Sequence, residues 1–305
     1  MARPVVVPLD RSEFAEAAIP RAVHAARRLA APLHLVLVHQ PQTVPMTADS
    51  SADLQAQIDA GLLEAGDLHL RRMAHRIAAE SHLLVEPHLL TGHVAETLAE
   101  HVETHRARLI VMSTHGRGGL SRLFLGSVAD RLLRIVHQPI LLQRPDTHQA
   151  TSPVGRGRRI LVPLDGSPLA ERTLGEVLSV FGTEHPTLVL AQVVAMPATV
   201  HVLAGHDTIA GPDLQQLVDA AGRYLAQVAD RLRADGHQVE SVVLGGDHAA
   251  QGLLAWAEEH EPDLIAIATR GQGGVGRAVF GSVADKLIRS AACPVLAWNP
   301  PEVRG

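Results

Sequence analysis

LIVMSTHGRGGLSRLFLGSVADRLLR, from Leu109 to Arg134, returns as LIAIATRGQGGVGRAVFGSVADKLIR from Leu264 to Arg289. Each copy opens on a short apolar run of strand length. A glycine cluster follows, then a segment of helical periodicity introduced by Gly-Ser. Strand, glycine loop and helix in that order are the local grammar of an α/β unit.

Other segments repeat at the same interval. VVVPLDRS (Val5–Ser12) matches ILVPLDGS (Ile160–Ser167), and HQPILL (His137–Leu142) matches ACPVLA (Ala292–Ala297). Every pair lies 155 positions apart. A constant offset over separated segments means domain duplication rather than local coincidence. The domains are read as residues 1–145 and 156–305. The polar, Pro- and Gly-containing stretch QRPDTHQATSPVGRGRR, Gln143 to Arg159, is read as the linker.

Within the first copy, strands are expected at Val5–Leu9, Leu33–Val38, Leu83–Leu90, Leu109–Ser113 and Pro139–Leu142. Helices are expected at Glu13–Ala30, Ala52–Ala79, Val94–His105 and Ser127–Val136. Pro20 must bend the first helix or mark its true start, and Gly61 or Gly66 is expected to break the second. The second copy follows the same order: strands near Ile160–Leu164, Thr187–Val194, Gln238–Leu244, Leu264–Ala268 and Pro294–Ala297, helices near Pro168–Phe181, Asp213–Asp235, Ala249–His260 and Ser282–Ser290. Strands separated by helices need crossovers, so each domain is expected to be an open, mostly parallel sheet of the Rossmann-like class. Such sheets place ligands beyond the carboxyl ends of their strands.

Composition agrees. Hydrophobic residues make up 46% of 305, but aromatics only 2%, so the core is built from Leu, Val, Ile and Ala, as suits strands covered on both faces. A formal charge of -5 lacks the basic footprint of a nucleic-acid binder. Cys293, the one cysteine, excludes an intrachain disulfide framework and points to a reducing cytosol. No apolar run reaches the roughly 20 residues of a membrane helix, and the start lacks a signal peptide.

Three features gather at the expected strand ends. Asp10 and Asp165 each follow Val-Pro-Leu, where a buried strand emerges. There a carboxylate either accepts from a ligand or satisfies the amides of its own turn. Gly116-Arg117-Gly118-Gly119 and Gly271-Gln272-Gly273-Gly274 follow the fourth strand, where glycines let backbone amides approach an anion. The spacing is neither the dinucleotide fingerprint nor a Walker A loop, which would need a lysine. Gly126-Ser127 and Gly281-Ser282 open the next helix. With Asp130 and Asp285 three residues on, each serine resembles the start of a capping box, and helix-start amides are also a ready anion site. Those aspartates would repel a phosphate unless they point away. Arg122 and Arg277 are placed to pair with a phosphate or to sit on the surface. Arg117 becomes Gln272 and His115 becomes Arg270, so neither is a group both copies depend on.

On these motifs the chain resembles two tandem domains of the universal stress protein family. The resemblance implies adenine-nucleotide-hydrolase-like sheets of order 3-2-1-4-5, intrachain pairing of the two domains, homodimer formation and a cytoplasmic stress-response role. One branch of that family binds ATP, with Mg2+, through Gly-x-x-Gly, nine residues and Gly-Ser/Thr. The glycine before the spacer falls on Gly116 and Gly271, the closing pair on Gly126-Ser127 and Gly281-Ser282, with Arg117, Gly119 and Gly274 inside the loop. The first glycine falls on Ser113 and Ala268, a departure in both copies. The family's adenosine-side aspartate falls on Asp10 and Asp165, and its adenine-contacting residue at the end of strand two on Val38 and Val194. The implied function is nucleotide-dependent conformation or partner choice, with an interaction protein of degenerate pockets or a very slow ATP hydrolase as alternatives. No general base is common to both loops, so no catalytic residue is assigned. Of 19 histidines, His101 and His105 are four apart in HVETH, which lacks the zinc-protease order. Copy two has Ala255 or a neighbouring non-histidine at the first of these positions. They are read as a surface helix face, and no metal site is expected.

Overall fold

A computed structural model describes residues 2–41, 52–114, 125–144, 159–182, 185–194, 214–269 and 281–301. The chain divides into two units, Met1–Ala150 and Thr151–Gly305. The first contains β1 (Val5–Leu9), α1 (Glu13–Glu16), α2 (Ile19–Arg28), β2 (Leu33–His39), α3 (Ala52–Ser81), β3 (Val85–Thr91), α4 (Val94–Thr104), β4 (Leu109–Ser113), α5 (Ser127–Ile135) and β5 (Ile140–Gln143). The second contains β6 (Arg159–Pro163), α6 (Pro168–Phe181), β7 (Thr187–Val194), α7 (Leu214–Ala234), β8 (Gln238–Gly245), α8 (Ala249–His260), β9 (Leu264–Ala268), α9 (Ser282–Ser290) and β10 (Val295–Trp298).

In the first unit the strands run β3-β2-β1-β4-β5, all parallel, which is the expected order 3-2-1-4-5. The second unit repeats it as β8-β7-β6-β9-β10. Val5 pairs with both Leu33 and Leu109, and Ile160 with both Leu188 and Leu264. Val5, Val6 and Val7 are all fully buried, as are Leu109, Ile110 and Val111. Consecutive residues point to opposite faces of a sheet, so both faces of the central strands are covered. The edge strands β3 and β8 are the least buried.

The structure departs from the sequence expectations in four places. The helix expected over Glu13–Ala30 is two helices, with Pro20 in the first turn of α2, where its missing N–H costs nothing. Gln143, beside the break, accepts from Arg21 Nε at 2.8 Å and donates to the Ala17 carbonyl at 2.5 Å. It is therefore a buried residue of β5 and not linker, and Arg159 likewise belongs to β6. Third, neither Gly61 nor Gly66 breaks α3. A Cβ at Gly66 would sit 3.1 Å from Leu37 Cδ2, so that glycine lets α3 lie close on β2. Fourth, the N-caps of α5 and α9 are Gly126 and Gly281, so Ser127 and Ser282 are first helical residues and no capping box forms.

Candidate functional site

β1 lies between β2 and β4, so the chain order reverses beside it and a crevice opens at the carboxyl ends of β1 and β4. Asp10 stands at one side of that crevice. Its Oδ1 accepts from the Ser12 amide at 3.0 Å and the Ser12 hydroxyl at 2.5 Å, while Ser12 Oγ caps α1 by accepting from Ala15 N at 3.2 Å. Arg11, inside the turn, takes φ 66°. The second unit builds the same turn with Gly166 at φ 81°, Ser167 N donating to Asp165 Oδ1 at 2.9 Å, and Ser167 Oγ accepting from Ala170 N at 3.1 Å. Both aspartates thus hold their own turns together at the place where a ligand would sit. Tyr224 stands near Asp165; burial, then the charges of Glu171 and Asp165, raises the pKa of its phenol.

The other side of the crevice is the end of β4. Thr114 N donates to the Gln143 carbonyl and Thr114 O accepts from Gly126 N, both at 2.8 Å. Thr269, with Trp298 and Gly281, repeats both bonds at the same distances. The glycine loop is therefore pinned where it leaves the sheet and where it enters the helix. A Cβ at Gly126 would come within 3.3 Å of the Thr114 carbonyl oxygen, and one at Gly281 within 3.1 Å of that of Thr269. The Gly of each Gly-Ser pair thus permits a close backbone approach that a Cβ would crowd. Ser127 and Ser282 are exposed at the starts of α5 and α9, neither of which carries a side-chain cap. First-turn amides have no intrahelical acceptor, so these starts are suited to an anion. Asp130 is held by Arg134 at 3.0 Å and Asp285 by Arg289 at 2.8 Å, so the repulsion raised by the sequence is offset within the helix.

Ser113, at the altered first position of the motif, is buried and its hydroxyl donates to the Phe14 carbonyl at 2.5 Å. Ala268 is buried at the same place. Gly116, Arg117, Gly119, Gly271 and Gly274 lie outside the described residues. Val38 is half buried on β2, paired with Leu90. Pairing against the central strands makes Val193, not Val194, its counterpart: Pro8 is opposite Val36, and Pro163 is opposite Ala191. The sequence placement slipped by one residue, which in a strand reverses the face.

A second constellation was not expected. His34 on β2, His88 on β3, and His101 and His105 at the end of α4 come together, with ring centres 4.2–5.6 Å apart. His101 is 5% exposed, which corrects the surface-face reading; only His105 is exposed. His34 Nδ1 lies 3.1 Å from His101 Nε2, and His105 Nδ1 lies 2.8 Å from the His101 carbonyl. Glu86 Oε2 is 3.5 Å from His34 Nε2 and 3.7 Å from His88 Nε2. Burial, then the neighbouring rings, lowers His34 to about 3 and His101 to about 4, and burial also lowers His88. These imidazoles are neutral at neutral pH. HVETH was the one sequence signal; its partners on β2 and β3 carried none.

Two open, parallel α/β domains, each with a switch-point crevice and a pinned loop, define the class of protein. The family model described as the universal stress protein family matches residues 1–144 and again 157–298, and the chain belongs to that family. It is 25% identical over 308 residues to a universal stress protein of Mycolicibacterium smegmatis, covering 97% of both chains. It is 31% identical over 139 residues to one of Methanocaldococcus jannaschii, covering 45% of this chain and 79% of that one. The crystal structure of a universal stress protein from Archaeoglobus fulgidus superposes with a TM-score of 0.72 at 18% identity, covering 99% of this chain and all of the other; that likeness is one of fold. No helix among the described residues is long and apolar enough to cross a membrane.

Proposed function

We propose that this chain is a stress-response regulatory protein that binds ATP, with Mg2+, in the carboxyl-end crevice of one or both domains. Binding would act by changing conformation or partner choice. The observation that carries this reading is the pinned loop: in both domains one glycine amide closes the loop on the residue just after the strand, Thr114 or Thr269, and the next helix start has no side-chain cap. Asp10 and Asp165 at the adjoining strand end supply a carboxylate for the adenosine side. Glycine-loop amides and helix-start amides favour a polyphosphate.

One observation favours a second reading, an interaction protein with degenerate pockets. Ser113 and Ala268 put a Cβ where the family motif has glycine, and Ser113 is committed to Phe14. Calorimetry of Mg-ATP into nucleotide-stripped full-length protein separates the two. Saturable binding that weakens roughly tenfold or more in Asp10→Ala together with Asp165→Ala supports the nucleotide reading. Absence of binding leaves the second. Mass spectrometry of whatever co-purifies with the protein identifies the nucleotide directly.

A further inference from the structure

The histidine cluster lies outside the nucleotide crevice, and the proposed function does not use it. Its counterpart in the second domain is an internal control. Strand pairing places Val189 where the first domain has His34, and Val242 where it has His88. The constant offset places Trp256 at His101 and His260 at His105. Trp256 and His260 stack at 4.3 Å, and His260 Nδ1 keeps the bond to the residue-256 carbonyl at 3.0 Å. Even the acid persists: Glu240 matches Glu86 but pairs with Arg159 at 2.6 Å. The same corner of the same fold is therefore built from Val, Val and Trp. Three buried or half-buried imidazoles are not what this packing requires.

Their spacing is that of a metal-ligand set. One nitrogen from each of His34, His101 and His105 lies within 4.8 Å of the other two. Two ligands about 2.0–2.1 Å from a tetrahedral zinc sit roughly 3.3 Å apart, and the His34–His101 nitrogen pair is at 3.1 Å. The ring Nδ1–H of His105 donating to the His101 carbonyl leaves Nε2 as the lone-pair nitrogen. Ligation through His34 Nδ1 puts the ring proton on Nε2, where Glu86 stands. A carboxylate on the far nitrogen is the order of groups by which ligating imidazoles are oriented. His88 Nε2 is buried without a hydrogen-bond partner among the described residues, against the same carboxylate. An all-imidazole set suits zinc, copper or nickel better than calcium or magnesium.

We propose that His34, His101 and His105 form a transition-metal site of the zinc class in the first domain only, with Glu86 and His88 as its supporting groups.

The test uses tag-free, chelator-treated full-length protein and ZnCl2, with CoCl2 as a spectroscopic probe. About one zinc per chain is expected, with a tetrahedral cobalt spectrum. His34→Val and His101→Trp carry residues the second domain has at those places, and each should weaken zinc binding roughly 100-fold or more. Glu86→Gln should weaken it roughly tenfold, and His260→Ala should leave it unchanged. If a core variant fails to fold, His105→Ala at the exposed helix end carries the same test. Failure to take up stoichiometric Zn2+, Ni2+ or Cu2+ overturns the proposal, as does uptake unaffected by these substitutions.

Discussion

Gly126 and Gly281 are set by the space a Cβ would need. The nearest atom to each is a backbone carbonyl oxygen that already accepts the glycine's own amide, so the neighbour cannot yield like a side chain. Gly281→Ala, with the closer approach, is expected to cost about 1–3 kcal/mol, and Gly126→Ala somewhat less; urea denaturation measures both. Ser113 is read differently once its partner is known. The sequence offered it as a small residue in a glycine's place; the structure gives its hydroxyl to Phe14. Ser113→Ala should destabilise by about 1 kcal/mol by leaving that carbonyl without its donor, seen as a lowered denaturation midpoint. Asp10 and Asp165 were legible as residues at a strand exit. That their Oδ1 atoms hold the turn was one of two readings open from sequence, and only coordinates assign those bonds.

Among the elements, helix starts carry the local logic. Ser167, with Pro168 behind it, caps α6: its Oγ accepts from Ala170 N. Ser167→Ala is expected to cost about 1 kcal/mol by thermal or chemical denaturation. The start of α5 was misread by one residue, because the serine of Gly-Ser looked like the better cap. Backbone closure by Gly126 decides that position instead. The packing of β2, β3 and α4 sets a pH dependence in chelator-treated protein. His34, His88 and His101 have folded pKa values below their ordinary one, with His105 and Glu86 facing them. Below about pH 6.5 the unfolded chain takes up protons that the folded one refuses. Stability is therefore full above that pH and falls as the pH drops toward 4 and 3. His34→Val should flatten this slope in denaturation curves collected across that range.

At the scale of the molecule, duplication supplies two copies of one fold in which the corner at α4 and at α8 is built differently. The first carries a histidine cluster, the second a stacked Trp-His pair with Arg159 over the ring of Trp256. Zinc at about 100 times its dissociation constant should stabilise the protein by about 2.7 kcal/mol if it binds only the folded state. Hydrogen exchange should place that protection in β2, β3 and α4 and leave β7, β8 and α8 unchanged. Equal protection of both domains would contradict a site confined to the first.

The sequence by itself determined the duplication, the α/β class, the strand order through its family resemblance, and the glycine loop with its Gly-Ser close. Those features repeat at a fixed interval or follow from local periodicity, and local pattern is what a linear string preserves. Tertiary structure alone decided that HVETH is half buried and has two further imidazoles opposite it. His34 and His88 lie on two different strands, separated from α4 by a turn or a whole crossover. Parallel pairing of β2 with β3, and the packing of α4 over them, bring the four rings to one point that no spacing in the chain records.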